Sequence, residues 1–379
     1  VAEDRTILTD LRETIERYMG SLSVREAPVI GWCCSYVPVE ILESAGLVPL
    51  RLLPPPPAEM GDAYLNPNFC GYVRAIMGEG LARAYPFLSG LVVMNTCDGM
   101  RRLFDAWSHF HDLSFVHLMD LPRITTPGAV VYFREEIERL IDRVSSHFGV
   151  SISTETMASC FRASNRTHTL LQQVQDLMGQ GRLDLTDYEA IELLKATGIL
   201  ARETCHPLLK RVINESPMEG DRRGVPILLT GSMLENPEIV SMIEAGGGWV
   251  VAQDLCVAGR RSENPISLTE DPLMALARHY LLRPPCARMQ DSQRRIDYVS
   301  NLVRSYHVRG VIYYVLKFCD TFLYEAPVLK QTLDHMGIPM LIIESEYRGG
   351  WGGGIQTRIQ AFLEMLNGAG SPDQREATR

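Results

Sequence analysis

The chain reads as an α/β protein: two blocks of parallel sheet joined by a helical spacer. Three observations predict this. Short apolar runs end in polar or cysteine-bearing turns, pass into helical spacing and return to another apolar run. This strand–helix–strand order, the unit from which parallel sheets are built, occurs toward both ends of the sequence. Between them, residues 134–215 carry helical spacing almost throughout.

Taken in order, Ile7 to Met19 sets Leu11, Ile15 and Tyr18 at helical spacing and predicts a leading amphipathic helix. Val29–Trp32 is a short apolar strand, followed by a cysteine turn and a helix over Pro38–Ala45. Pro38 suits a first helical turn and Gly46 the position just past its end. Leu47–Leu52 supplies the next strand. Gly90–Asn95, a second cysteine turn and a helix through Trp107 repeat the plan. The spacer segments REEIERLIDRVSSHFG, SCFRASNRTHTLLQQVQDLMG and DYEAIELLKATG all read as helices. VPILLTGSMLENPEIVSMIEAGGGWVVAQDLC then reads strand, turn, helix, strand, with Pro237 near the helix start. Gly310–Val315 is a strand, followed by a cysteine loop, a helix to Met336 stopped by Gly337, and a strand over Pro339–Ile343. IQTRIQAFLEMLNG closes the chain as a helix. The expected division is an N-terminal α/β lobe with its leading helix (1–150), a helical spacer (151–222) and a C-terminal α/β lobe (223–379), entered through the charged turn EGDRRG at 219–224.

A length of 379 residues, at ~150 residues per domain, fits two domains with room for a small extra one. Hydrophobic residues at 46% and charged residues at 22% exclude a mainly disordered chain. No apolar run approaches the ~20 residues of a membrane-spanning helix. The opening VAEDRTILTDLRETIERYMG lacks a basic n-region and an apolar h-region, so a cytoplasmic location is expected. The net charge of −9 argues against nucleic acid, which needs a basic face. Nine cysteines are too sparse for a disulfide scaffold and point to a reducing compartment.

The cysteines are the informative residues. Cys34, Cys97, Cys256 and Cys319 each follow a predicted parallel strand, at the sheet edge where open α/β folds bind ligands. A thiol near a helix N-terminus feels its positive end, which favours the thiolate. Cys97-Asp98 and Cys319-Asp320 repeat one local pair. Cys70 begins a helix in NPNFCGYVRAIMGEGL, and Cys286 follows one in LLRPPCARM. A buried thiol is equally at home as a small core residue, and Cys160 and Cys205, in the spacer, read as packing. Of the adjacent Cys33 and Cys34, strand alternation lets one face the site.

Spacing narrows the metal. No CxxC pair exists, which argues against zinc ribbons and fingers, and the CxxCxxC run of bacterial ferredoxins is missing. Thiols drawn from distant loops suit a cluster in a cleft between two lobes, and all-thiolate ligation favours iron–sulfur. The sequence has no GxxxxGK[ST], GxSxG or HExxH. GGWGGG (349–354) reads as a flexible loop or a phosphate contact. TGS (230–232), with Ser232, is the better candidate for holding an anionic or cofactor group. Arg101 and Arg102 pair either with phosphates or with the acidic surface.

In combination, CSYVPVEILESAGLVPLRL, NFCGYVRAIMG, NTCDGMRRLFD, TGSMLENP with GGGWVVAQDLCVAGR, DPLMALARHYLLRPPCARM, KFCD and TRIQAFLEML resemble the 2-hydroxyacyl-CoA dehydratase and benzoyl-CoA reductase family over essentially the whole chain. The resemblance implies two Rossmann- or flavodoxin-like lobes with an iron–sulfur cluster in the cleft, dimeric assembly, and a separate ATP-dependent iron–sulfur activator that delivers low-potential electrons. The positions matching the family's three cluster cysteines are Cys70, Cys97 and Cys319. With Cys34, Cys256 and Cys286 the set resembles the double-cubane branch, whose members are homodimers that reduce small molecules. The departure is GGWGGG, where relatives more often carry one glycine followed by Gln.

The expected function is therefore an ATP-driven, low-potential reductase with a double-cubane iron–sulfur cluster (8Fe-9S). One alternative is a subunit of an (R)-2-hydroxyacyl-CoA dehydratase, with a single 4Fe-4S cluster, an acyl-CoA substrate and a non-identical partner. Another is a non-catalytic electron-storage protein. Asp98 and Asp320 are candidates to orient loops or relay protons, or else to cap the following helices. Ser35 and Glu40 are candidate substrate contacts.

Overall fold

In a computed structural model the chain forms two four-stranded, all-parallel sheets. The structure describes residues 7–55, 59–215, 224–234, 236–257, 260, 265–347 and 352–368.

Helix α1 (Ile7–Leu22) buries Leu11, Tyr18 and Leu22, which steps of seven and four residues place on one helical face. The first sheet contains β1 (Val29–Trp32), β2 (Val48–Arg51), β3 (Leu88–Asn95) and β4 (Phe115–Asp120), in the order β2-β1-β3-β4. Its helices are α2 (Val39–Ser44), α3 (Gly71–Leu81), α4 (Asp98–Phe110) and α5 (Pro127–Phe148). The spacer contributes α6 (Thr154–Gly179), α7 (Asp187–Ala196) and α8 (Arg202–Glu215). The second sheet contains β5 (Val225–Gly231), β6 (Gly248–Asp254), β7 (Gly310–Leu316) and β8 (Met340–Ser345), in the order β6-β5-β7-β8. Around it lie α9 (Glu238–Ala245), α10 (Pro272–Leu281), α11 (Ser292–Ser305), α12 (Asp320–His335) and α13 (Gly353–Gly368).

The two sheets share one plan: the second strand of each block lies outside the first, and the third lies on its other side. That arrangement makes a switch point between β1 and β3, and again between β5 and β7, where the outgoing loops part and leave a crevice. β1 and β7 are buried along their whole length, as central parallel strands covered on both faces must be. Continuous apolar runs such as GVIYYVL are the consequence in sequence.

The sequence reading and the structure agree on β1 residue for residue and differ elsewhere mostly by one to three residues at element ends. One strand escapes that reading. β4 (FVHLMD) is an edge strand with His117 and Asp120 in a run only partly buried, so its apolar signal is broken. The TGS segment ends β5, but α9 starts only at Glu238, so no helix N-terminus stands beside Ser232. Most of EGDRRG and the residues Gly349–Trp351 of GGWGGG lie outside the described residues, and Gly353 and Gly354 open α13.

Two contacts fix how the sheets face each other. Gly71, at the start of α3, lies so close to Tyr347, just past β8, that a Cβ there would stand 2.2 Å from the Tyr347 Cβ. The Tyr347 hydroxyl donates to the Pro54 carbonyl. Asp187, fully buried at the start of α7, accepts from the Val250 amide of β6 at 2.7 Å and so anchors the spacer to the second sheet. Among the described residues, no helix is long and apolar enough to cross a membrane.

Candidate functional site

The crevices of the two sheets open toward each other, and the loops beyond their strands bring thiols together. Cys33 and Cys34 follow β1, Cys70 caps α3, and Cys319 caps α12 after β7. These four, with Cys256 beyond β6 and with Ser232 and Arg288, line a pocket of about 20 Å³. Both members of the Cys33–Cys34 pair line it, although alternation would admit one. β1 ends at Trp32, so the pair lies in a turn to which strand alternation no longer applies.

Arg288 ties the remaining thiols to this group. Its guanidinium stands 3.7 Å from the Cys286 sulfur, 3.8 Å from that of Cys319 and 4.0 Å from that of Cys97. It also acts electrostatically on Cys34, Cys70 and Cys256, so one cation is shared by all six expected ligand positions. Burial disfavours its charge and the nearby sulfurs, that of Cys97 first, favour it; as an arginine it stays protonated.

The thiols are not equivalent. Cys70 donates its S–H to Cys319, and that hydrogen bond, then burial, pushes the Cys70 thiol up. The same bond stabilises the Cys319 thiolate; with Arg288 adding to it against burial, Cys319 falls to about 6. Burial first, then the neighbouring Cys256, pushes Cys34 up to about 11. Among the described residues, no three His, Cys, Asp or Glu side chains converge as ligands of a single metal ion do.

A buried network stiffens these loops. Asp254, at the end of β6, accepts from Arg260 at 2.8 Å, from Thr230 at 2.6 Å and from Arg295. Burial alone would raise its carboxyl; Arg260 and Arg295 outweigh that and hold it below the usual range. Arg260 also donates to the Gly231 carbonyl at 3.1 Å, and Arg295 reaches Glu325 of α12 at 3.0 Å. The loops that carry Cys256 and Cys319 are thereby bound into one unit.

Beside the thiols lies a larger cavity of about 420 Å³, and Cys256 lines both spaces. Glu40, only 2% exposed in α2, faces it and accepts from Ser164 at 2.6 Å, Tyr280 at 2.8 Å and Arg202 at 3.3 Å. Burial pushes its carboxyl up, and Arg202, Ser164 and His279 together more than reverse this, leaving it below the usual range. Ser35 lines the same cavity and accepts from Arg283 through its hydroxyl at 3.0 Å. Cys160 and Cys205, read from the sequence as packing, line this cavity as well.

The other expected site residues stand elsewhere. Asp98 and Asp320 occupy the first turns of α4 and α12 with exposed side chains and do not line the thiol pocket. Asp98 lies 3.7 Å from Arg102, which pairs with Asp105 at 2.8 Å, while Arg101 reaches Asn95 at 3.3 Å. The Ser232 hydroxyl accepts from the Leu316 amide at 3.0 Å, tying β5 to β7. The sequence reading assigned no role to Arg51, Arg202, Arg260, Arg283, Arg288 and Arg295, although Arg51, Arg260, Arg283 and Arg288 lie within the motifs that carry the family resemblance.

A model of the family described as 2-hydroxyglutaryl-CoA dehydratase, D-component, matches residues 34–366. The chain belongs to this family. Similar relatives span nearly all of it. YjiM of Escherichia coli (strain K12), a dehydratase-subunit relative by name, is 28% identical over 376 residues, 94% of this chain and 96% of YjiM. A benzoyl-CoA reductase subunit from Thauera aromatica is 24% identical over 351 residues, 89% of this chain and 90% of that protein. The (R)-phenyllactyl-CoA dehydratase beta subunit of Clostridium sporogenes is 20% identical over 368 residues, 94% and 97% of the two chains. Members of the family thus include proteins named for reduction and for dehydration of acyl-CoA, and an oxidoreductase or lyase role follows at family level.

Proposed function

We propose that this protein is the iron–sulfur catalytic component of a low-potential reductase, with the cluster held by Cys34, Cys70, Cys97, Cys256, Cys286 and Cys319. One observation carries the reading: Arg288 stands within 4.0 Å of the Cys97, Cys286 and Cys319 sulfurs and shares a pocket with Cys34, Cys70 and Cys256, in a chain of this family. The donor chemistry fits the group. The set is all sulfur, which suits iron–sulfur rather than hard cations. Thiolates of a cuboidal cluster bind different irons, so they need not converge on one point as ligands of a lone ion must. Six such ligands match a double cubane, and three match a single 4Fe-4S cluster.

Bound there, the group would supply electrons at low potential, delivered, as the family resemblance implies, by a separate ATP-dependent iron–sulfur activator. The protein's own residues do the rest. Arg288 offsets the negative charge of grouped thiolates, and the Asp254 network holds the ligand loops in register. The neighbouring cavity, with Ser35 and Glu40 on its wall, would take the reactant beside the thiols. Glu40, with Tyr280 donating to it, provides a carboxylate that can exchange a proton at its Oε2. A homodimer suits this reading.

The names of the acyl-CoA dehydratase relatives favour a second reading, in which the chain is one subunit of a heterodimeric (R)-2-hydroxyacyl-CoA dehydratase. Then Cys70, Cys97 and Cys319 alone are needed. Iron and acid-labile sulfide per chain on anaerobically purified protein separate the two: about eight irons in a homodimer for the first, about four for the second. Cys97→Ser abolishes visible absorption and lowers iron in both cases, whereas Cys286→Ser lowers iron only in the first. Unchanged iron in Cys97→Ser, or no iron after reconstitution, refutes the cluster assignment.

A further inference from the structure

The 420 Å³ cavity carries positive charge that its walls leave open. Five arginines line it: Arg25 is exposed and lies over the Tyr18 ring at 4.9 Å, and of the other four, two are matched by carboxylates. Arg202 pairs with Glu43 at 2.8 Å and Glu40 at 3.3 Å, and Arg260 pairs with Asp254 at 2.8 Å. Two are not. Arg51, 6% exposed, lies over the Trp32 ring at 5.0 Å and donates through Nη2 to the Cys256 carbonyl at 2.8 Å, with the Cys256 sulfur at 3.8 Å. Arg283, 7% exposed, stacks over Tyr36 at 4.2 Å and Tyr280 at 5.1 Å and donates through Nη2 to Ser35. The Nε of each is buried without a hydrogen-bond partner. Among the described residues, neither guanidinium forms an ion pair with a carboxylate.

A buried guanidinium without a carboxylate partner is costly, and aromatic faces recover only part of that cost. Arginine nevertheless suits such a position when a planar anion arrives to meet its fork of donors. The size of the cavity limits what can arrive. At 420 Å³ it encloses a small organic molecule, at the lower end of ordinary ligand pockets, and not a coenzyme A thioester as a whole. Glu40 and Glu43 on the same wall disfavour a multiply charged phosphate and leave room for a single negative charge.

We propose that this cavity binds a small monocarboxylate, whose charge is taken up by Arg51 and Arg283, next to Cys256. The proposal deepens the reading above by naming the charge of the small reactant, and it rests on that reading only for the reactant's later fate.

The test is calorimetric titration of the full chain with butyrate, its neutral isostere butyramide, and inorganic phosphate, on anaerobically purified and on iron-free samples. Butyrate is expected to saturate and to raise the melting temperature, with butyramide at least about tenfold weaker. Arg51→Gln and Arg283→Gln should each weaken butyrate at least about tenfold. If either glutamine variant fails to fold, Arg51→Lys or Arg283→Lys keeps the charge, loses the planar fork and should weaken butyrate several-fold. Equal binding of butyramide, tighter binding of phosphate, no butyrate binding, or wild-type affinity in the folded variants overturns the proposal. Iron counted on the same samples keeps the two questions apart. Butyrate binding to a protein that never takes up iron would refute the cluster and leave the anion site standing; a full cluster without butyrate binding would do the reverse.

Discussion

Replacing Arg202 by methionine keeps most of the aliphatic stem and removes the charge. The structure gives the size of the effect. The guanidinium meets Glu43 at 2.8 and 3.0 Å, Glu40 at 3.3 Å and Thr167 at 3.0 Å. Were this a surface pair, ~0–1 kcal/mol would be at stake. Glu40 is 2% exposed and Arg202 only 15%, so the change strands a buried carboxylate, which costs about 3–5 kcal/mol at pH 7. The pH dependence carries a sign. In the wild type the Glu40 carboxyl is held low, so its stabilisation is present above the unfolded pKa and is lost as pH falls through the folded value. Without Arg202, burial loses its largest opponent, with Ser164 and His279 left against it, so the Glu40 carboxyl rises and the folded state takes up a proton more readily. The variant's deficit must therefore shrink from pH 7 to pH 5. Urea unfolding of both proteins at the two pH values, with matched iron content, measures it. Adding Glu40→Gln should recover part of the loss. A deficit below about 1 kcal/mol, or one independent of pH, would refute the argument.

Three further outcomes follow from local geometry. Gly231→Ala should cost more than about 3 kcal/mol or prevent folding, because φ is +139° and a Cβ would stand 1.9 Å from the Tyr314 carbonyl oxygen; a melting temperature near wild type would contradict this. Thr186→Ala removes the capping box of α7, in which Thr186 accepts from the Glu189 amide at 3.1 Å, and should cost about 1 kcal/mol in chemical unfolding, with Thr186→Ser close to neutral. His117 in β4 is pushed down to about 4, by burial first and Arg143 second. The unfolded state thus binds a proton the folded state refuses, and stability falls as pH drops from 6.5 to 4. His117→Phe should flatten that slope, by about 1–2 kcal/mol at pH 5.

The strands and cysteines are legible in the sequence because they depend on neighbours in the chain. An apolar run, a turn and a capping position are local signals, and they suffice to set Cys97 and Cys319 at helix starts. The arginines are not legible. Arg202 meets Glu40 across 162 residues and Arg283 meets Ser35 across 248, separations at which no periodicity applies. Asp98 and Asp320 illustrate the converse. Their repeated place beside cysteines suggests chemistry, yet the first turn of a helix carries such residues toward solvent. Glu40 looks like an ordinary helix carboxylate; only side chains from α6, α8 and α10 bury it among Ser164, Arg202 and Tyr280.

Cys34, Cys70 and Cys97 belong to the first half of the chain, and Cys256, Cys286 and Cys319 to the second. A ribosome that has made Cys97 must add 319 − 97 = 222 residues before Cys319 exists. At ~5–20 residues per second this takes roughly 10–45 s. Until that interval ends the early thiols lack the full set of their later partners. Neither half can assemble this group of thiols by itself, so the early cysteines pass the period of synthesis as separate, uncompleted positions.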